Sequence, residues 1–200
     1  MIKAYLPISS PLAHIELAFI LGEVWTMVDP TGRMQARQHR RRVSRMQRDG
    51  IEITVIDDRD IVGFAASATR IEELYMTNVE NMADRVLRKV NSMPFKVRRL
   101  NILDHGNKDG MEIGDDWITI ETLPNYARHF RRLRGIFHRK GFVHFQHCDV
   151  GSNLPLLVAL SDLVGVPVYA GTGAHNPVYR FNKGQYNRCV PDGRCEEDVD

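Results

Sequence analysis

Three glycine-containing segments of this chain place reactive side chains directly after an apolar run. His105-Gly106 follows the first run, Cys148 and Gly151 follow the second, and Gly171-Thr172-Gly173 follows the third. A thiol becomes a nucleophile when a nearby imidazole takes its proton, so Cys148 is the candidate nucleophile and His105 the candidate general base. The N–H groups of Gly106 and Cys148 are the candidate donors of an oxyanion hole, which stabilises the negative oxygen of a tetrahedral intermediate.

Other polar or small residues close to these segments are candidates for the wall of a substrate pocket. They are Asp104, Asp109, Asp149, Gly171, Thr172 and His175. Two of them, Asp104 and Asp149, would orient His105 or shape the pocket, and the alternative for both is a solvated strand end. An acidic pocket would select Lys or Arg in a substrate, and a basic pocket would select Asp. The sequence leaves this choice open, because charged residues of both signs lie near the cleft: Asp109, Asp115, Arg180 and Lys183.

The apolar runs predict strands that alternate with helices. Strands are predicted at 51–56, 97–103, 142–147 and 166–170, with a short extended piece at 117–120. Helices are predicted from Ile71 to Met93, from Thr122 until Gly141 ends it, and from Leu154 to Val164. This alternation predicts an α/β fold with a mostly parallel sheet and helices on both faces. Ligands collect at the carboxyl ends of parallel strands, so the three polar segments are expected to meet at one edge.

The order of these residues resembles that of caspase-like cysteine peptidases. In that clan an apolar strand ends in His-Gly, and a second apolar strand ends in Cys a few tens of residues later. Residues 104–114 and 147–151, the helix from Leu154 and the turn at 171–173 are similar to the blocks of bacterial caspase-like domains. The resemblance spans roughly residues 97–175, and His147 stands where the family usually has a small residue.

The resemblance implies a caspase-like three-layer sandwich and a cysteine endopeptidase that uses no cofactor. His105 would serve as base and acid, and Cys148 would form a thioester acyl-enzyme with a protein or peptide substrate. The first alternative is a non-catalytic caspase-like binding module, in which Cys148 is a structural residue. A metal site is a further alternative, because several potential ligands lie near one edge: His105, His147, Cys148, Asp149 and His175.

A basic segment precedes the predicted α/β domain. Between Arg33 and Arg48 there are seven arginines and no acidic residue, although the whole chain has a net charge of only +2. The sequence therefore predicts an N-terminal segment, 1–50, with an Arg-rich helix or arm, followed by the α/β domain at 51–200. The arginines form a solvated helix face or contact nucleic acid or another polyanion, as in a nucleic-acid-binding or toxin-like protein.

Composition and cysteine count bound the remaining expectations. The chain has 200 residues, of which 43% are hydrophobic and 26% charged, as is typical of a soluble globular protein. Polar residues interrupt the opening segment, so we expect no membrane span and a cytoplasmic protein, with export by a route without an N-terminal signal left open. Three cysteines are too few for a disulfide framework. Cys189 and Cys195 are expected in a hairpin around 191–193, outside the parallel sheet.

Overall fold

The structure is a computed structural model that describes residues 30–57, 59, 73–176 and 181–197. The chain divides after Arg48 into two compact units. The Arg-rich segment forms helix α1 (Pro30–Asp49). In the described part of the chain, no helix is both long and apolar enough to cross a membrane.

Twelve strands are described in the second unit. The first six are β1 (Ile51–Asp57), β2 (Glu73–Met76), β3 (Val97–Leu103), β4 (Gly106–Asn107), β5 (Gly110–Ile113) and β6 (Asp116–Ile118). The others are β7 (Phe137–Gln146), β8 (Val168–Gly171), β9 (His175–Asn176), β10 (Phe181–Asn182), β11 (Tyr186–Cys189) and β12 (Cys195–Glu196). The helices are α2 (Val79–Asn91), α3 (Leu123–Arg132) and α4 (Leu154–Val164), with a 3₁₀ turn at Val150–Ser152.

A mostly parallel sheet forms the centre of this unit. Its described strands lie in the order β12-β11-β8-β7-β3-β1-β2. The five strands from β2 to β8 run parallel, and β11 and β12 continue the sheet in antiparallel orientation. Helix α2 packs against α3, and α3 packs against α4. The predicted α/β fold with a mostly parallel sheet is confirmed, and the arrangement is consistent with a three-layer sandwich.

Two smaller sheets follow the ends of the central strands. Strands β4, β5 and β6 form an antiparallel sheet directly after β3, and β9 pairs with β10 after β8. The sequence analysis predicted an extended piece near β6 but not the three-stranded sheet. Strands of two to four residues are too short to show an alternating hydrophobic pattern, which explains why β4 and β5 went unpredicted.

Helix α4 agrees with the sequence prediction at both ends. It runs from Leu154 to Val164 and closes at Gly165, whose φ of 73° is the left-handed conformation that favours glycine. Leu156, Leu157 and other residues around the helix are buried, as expected for a helix that is apolar on nearly all sides. Because this buried helix begins shortly after Cys148, it holds the C-terminal end of the Cys148 segment in place.

The predicted helix from Ile71 to Met93 is wrong in its first part. Leu74 and Tyr75 lie in β2, which pairs with β1, and helix α2 begins only at Val79. The side chain of Asn78 caps α2 by accepting the N–H of Asn81 at 2.8 Å. A short apolar run fits either a strand or a helix by periodicity, and pairing with β1 decides for the strand.

The helix predicted from Thr122 is too long, because Gly141 does not end it. Phe137, assigned to the apolar face of that helix, is the first residue of β7. Phe137 pairs with Val97 whereas Phe142 pairs with Arg99, so β7 contains extra residues in a bulge. Gly141 lies in this bulge, where a Cβ atom would come within 2.7 Å of the Val97 carbonyl oxygen.

The predicted cysteine hairpin is present, but it extends the central sheet. Cys189 pairs with Cys195 across β11 and β12, and β11 also pairs with β8, so the expectation of a hairpin outside the sheet is wrong. The two sulfurs form a disulfide between Cα atoms 4.1 Å apart. The cysteine count does not predict this bond, because one bridge between paired strands needs no larger framework.

Candidate active site at the strand ends

His105 and Cys148 follow the ends of two neighbouring parallel strands. The last paired residues of β3 and β7 are Leu103 and Gln146. His105 and Cys148 each lie two residues beyond this pair. His105 is exposed and Cys148 is half-buried. The pairing register therefore brings the candidate base and the candidate nucleophile to the same edge of the sheet.

Close backbone packing joins the two segments at Gly106. A Cβ atom at this position would lie 2.8 Å from Cγ2 of Val150, 2.9 Å from Cβ of His147 and 3.2 Å from the carbonyl oxygen of Cys148. Only a residue without a side chain allows this approach. The residue next to His105 thus packs directly against the segment that carries the sulfur.

Gly106→Ala is expected to separate these two segments. The added methyl group forces a shift of neighbouring backbone, so we expect the free energy of unfolding to fall by about 1–3 kcal/mol. Urea denaturation measures this change. Lys108→Ala is the control, because Lys108 is exposed in the turn that follows Gly106. Equal destabilisation by the two substitutions would contradict the packing argument.

The Cys148 segment is also held against the end of β8. The N–H of His175 donates to Sγ of Cys148 at 3.3 Å, and the N–H of Asp149 donates to the carbonyl of Gly173 at 3.0 Å. Asp149 adopts a φ of 58°, which turns the chain into the following 3₁₀ helix. A Cβ atom at Gly151 would lie 2.5 Å from the Ala170 carbonyl oxygen. These contacts orient the sulfur and bring the third strand end to the same edge.

Gly171 and Thr172, which were candidates for the pocket wall, make mainly structural contacts. A Cβ at Gly171 would lie 2.2 Å from Cγ of Asn182, whose amide bonds both the N–H and the carbonyl of Gly173. Thr172 pairs with Gln185 through its backbone N–H and its hydroxyl. The sequence analysis did not single out Asn182, and no motif marks it, since its role depends on the fold of the turn.

Asp104 is a buried clamp at the turn that carries His105. Its carboxylate accepts the N–H of His105 and the N–H of Gly114, both at 2.8 Å. Burial raises the pKa of Asp104 to about 6, and the charges of Asp57 and Glu112 add to the rise, against the effect of the two N–H donors. The clamp ties the end of β3 to the turn between β5 and β6.

Asp109 lies in the exposed turn between β4 and β5. Its backbone carbonyl accepts a hydrogen bond from Nδ2 of Asn153 at 3.2 Å. Oδ1 of Asn153 in turn accepts the N–H of Leu156 at 3.2 Å and caps α4. The structure therefore assigns Asp109 a backbone contact between the small sheet and α4.

His144 lies within β7, and His147 lies just beyond the end of this strand. It is fully buried, and its Nε2 donates to the carbonyl of Glu112 at 2.9 Å. His144 is buried within β7, and its Nδ1 accepts from Arg99 at 2.6 Å. Burial lowers the pKa of each imidazole to about 3. The charge of Arg99 lowers the pKa of His144 further, whereas the hydrogen bond to the Glu112 carbonyl opposes the effect of burial at His147. Both rings are therefore neutral at pH 7, and His147 holds the small sheet against the Cys148 segment.

A cleft of about 440 Å³ opens beside His105. Its lining residues are Asp57, Arg59, His105, Glu112, Gly114, Asp115 and Trp117. Sequence reasoning named only His105 and Asp115 among them. The available signal was the position of Asp57 directly after the apolar run of β1, because the end of a central parallel strand contributes to the same edge as its neighbours.

Neither a metal arrangement nor a known relative identifies the site. Among the residues described, no three His, Cys, Asp or Glu side chains are grouped so that they could hold a metal ion. Comparison of the sequence with protein-family models and with curated proteins finds no match to either. The features that bear on function are the positions of His105 and Cys148 and the cleft beside His105.

Proposed function

We propose that this chain is a cysteine endopeptidase of caspase-like type, with Cys148 as nucleophile and His105 as general base. The observation that carries the proposal is the packing of Gly106 against the carbonyl of Cys148 at the ends of two adjacent parallel strands. The segments that carry Cys148 and His105 are therefore adjacent, and His105 is exposed. That is the placement expected of a nucleophile and its base.

The proposed reaction has two steps. Sγ of Cys148 attacks the carbonyl carbon of a peptide bond while His105 takes the thiol proton, and the N–H groups of Gly106 and Cys148 stabilise the oxyanion. The C–N bond then breaks, and His105 returns the proton to the departing amine. Water, deprotonated by His105, then attacks the thioester carbonyl. The C–S bond breaks, the acid is released, and the proton on His105 returns to the sulfur of Cys148. The His175 N–H contributes by orienting the sulfur before attack.

Alkylation by iodoacetamide tests the pairing of Cys148 with His105. All three cysteines lie in described residues, and Cys189 and Cys195 share a disulfide, so Cys148 is the free thiol that reacts. We expect His105→Ala to slow alkylation at pH 7 by about tenfold, because the base no longer assists formation of the thiolate. His138→Ala is the matched control on β7. Equal rates in all three proteins would favour the alternative of a non-catalytic caspase-like module.

A second candidate function belongs to the first unit alone. The side chains of Arg40, Arg41, Arg42, Arg45 and Arg48 are exposed on helix α1. The sequence from Arg33 to Arg48 contains no acidic residue, so the helix carries a high density of positive charge. Such a positive helix is suited to a polyanion such as nucleic acid, whose phosphates release counterions when arginines bind.

We expect retention on heparin to depend steeply on salt and to fall when Arg40, Arg41 and Arg45 are changed to Gln. The loss of three cationic contacts reduces the number of released counterions, so elution should move to lower salt. The control changes three exposed arginines of the second unit to Gln, at positions 128, 131 and 139. Polyanion binding by α1 is contradicted if both triple variants elute at the same salt concentration.

A further inference from the structure

The cleft beside His105 carries more negative than positive charge. Asp57, Glu112 and Asp115 each supply a carboxylate, whereas Arg59 supplies a guanidinium. The side chain of Asp57 is only 5% exposed, so its charge is poorly screened by solvent, while that of Asp115 is 67% exposed. The cleft therefore combines a buried carboxylate, that of Asp57, with an exposed one, that of Asp115.

The buried carboxyl group of Asp104 responds to this negative field. Its pKa is raised to about 6 by burial first, and the charges of Asp57 and Glu112 act in the same direction. Asp104 does not itself line the cleft, but the charges of two residues that do, Asp57 and Glu112, contribute to its raised pKa. A cation brought into the cleft would reduce the repulsion between these carboxylates.

A guanidinium group of the chain itself already lies in the cleft. Nε of Arg59 donates to Oδ1 of Asp57 at 3.2 Å, and its Nη2 donates to Oδ2 at 3.0 Å, which is the two-pronged geometry of an arginine bound to a carboxylate. Nη1 of the same side chain bonds Asp115. The carboxylates are thus arranged to receive a guanidinium, and the half-exposed Arg59 forms a contact that a competing cation can displace.

The wall of the cleft also suits the aliphatic part of a long basic side chain. Trp117 lines the cleft and is 38% exposed. An exposed indole packs against methylene groups and attracts a cation placed over its face. If a neutral side chain displaced Arg59, the buried carboxylate of Asp57 would lose its cationic partner.

We propose that this cleft binds the side chain of a Lys or Arg residue in a peptide substrate, with Arg59 as the occupant that the substrate displaces. The inference rests on the proposed function. In that reaction Cys148 attacks the carbonyl carbon of one substrate residue, and the cleft beside His105 would bind the side chain of that same residue. The sequence left open whether the pocket selects a basic or an acidic substrate residue, and the inference selects the basic one. The substrate class is therefore peptides with a basic residue on the amino side of the cleaved bond.

Binding to a catalytically inactive protein tests the cleft without requiring turnover. In the Cys148→Ala protein, N-acetyl-arginine amide should bind about tenfold more tightly than N-acetyl-citrulline amide, which has nearly the same shape but no charge. Asp115→Asn should remove most of this preference, as should Asp57→Asn if that buried variant folds. Asp192→Asn changes an exposed carboxylate on the β11–β12 hairpin and should leave it intact. Equal affinity for the two amides, or a preference unaffected by Asp115→Asn, overturns the proposal.

Removal of Arg59 tests its role as a displaceable occupant. In Arg59→Ala the carboxylates of Asp57 and Asp115 lose their internal partner, so the arginine amide should bind about tenfold more tightly than in the parent protein. Unchanged or weaker binding would overturn this role, because it would mean that Arg59 does not compete with the ligand.

Peptide cleavage separates failure of this inference from failure of the proposed function. The unmodified protein is given three fluorogenic peptides that differ only in Arg, citrulline or Asp before the scissile bond. Preferential cleavage after Arg supports the inference. Cleavage without preference, or with preference for Asp, overturns the inference and leaves the peptidase intact. Selective arginine binding without cleavage of any peptide overturns the peptidase and leaves the cationic cleft.

Discussion

We expect Cys148→Ala to abolish peptide hydrolysis and to leave the fold nearly unchanged. The substitution removes one half-buried sulfur atom at the end of β7, so it creates little cavity. We expect the free energy of unfolding to change by only about 1 kcal/mol. Turnover of a basic peptide substrate measures activity, and urea denaturation of the same samples measures stability. Full activity in this variant would end the assignment of Cys148 as nucleophile.

His105→Ala is expected to reduce activity as fully as Cys148→Ala. Nucleophile and base act as a unit, so the double variant should be no less active than either single variant. His147→Ala is the comparison, because His147 is fully buried and its ring donates to the backbone carbonyl of Glu112. It should keep measurable turnover. Activity in His105→Ala together with none in His147→Ala would mean that the nucleophile is right and the base is wrong.

Strong local patterns predicted the central elements well. The apolar runs of β3 and α4 are long enough for the spacing of their residues to distinguish a strand from a helix. Gly165, in the left-handed conformation, marks the end of α4. The start of α2 was mispredicted, because the apolar residues of β2 continue the helical spacing of the residues that follow. Pairing with β1, which no local pattern contains, makes that segment a strand.

Some residues of the candidate site could be located from the sequence, and others could not. Residues that directly follow a long apolar strand, such as His105 and Cys148, could be located from sequence because their neighbours define the strand ends. Asn182 and Arg59 could not, since each acts through contacts with residues distant in the chain or in a turn without a pattern. Sequence therefore indicates which polar residues lie at the strand ends, whereas the charge of the cleft beside His105 depends on the folded arrangement.

We expect the protein to lose stability at acidic pH because two histidines, His144 and His147, are buried. Burial lowers the pKa of His144 and of His147 to about 3 in the folded protein, from an ordinary value of 6.5. Below pH 6.5 the unfolded chain takes up protons that the folded chain does not bind. The stabilisation from the neutral imidazoles is therefore present above pH 6.5 and is lost as the pH falls towards 3.

Urea unfolding at pH 7 and pH 4.5 measures this loss. Each histidine should contribute about 3 kcal/mol to the decrease between these two values. Asp104 acts in the opposite direction, because its raised pKa of about 6 makes the folded state bind a proton more readily between pH 6 and 4. The net decrease should therefore be smaller than the sum of the two histidine contributions.

His147→Gln isolates one of these contributions. The glutamine amide can still donate to the carbonyl of Glu112 but does not titrate, so the decrease in stability between pH 7 and pH 4.5 should shrink by about 3 kcal/mol. His138→Gln, on the half-buried first part of β7, is the control and should keep the parent pH dependence. An unchanged decrease in His147→Gln would mean that His147 is protonated in the folded protein. Its ring could then not remain the neutral, buried contact that holds the small sheet beside Cys148.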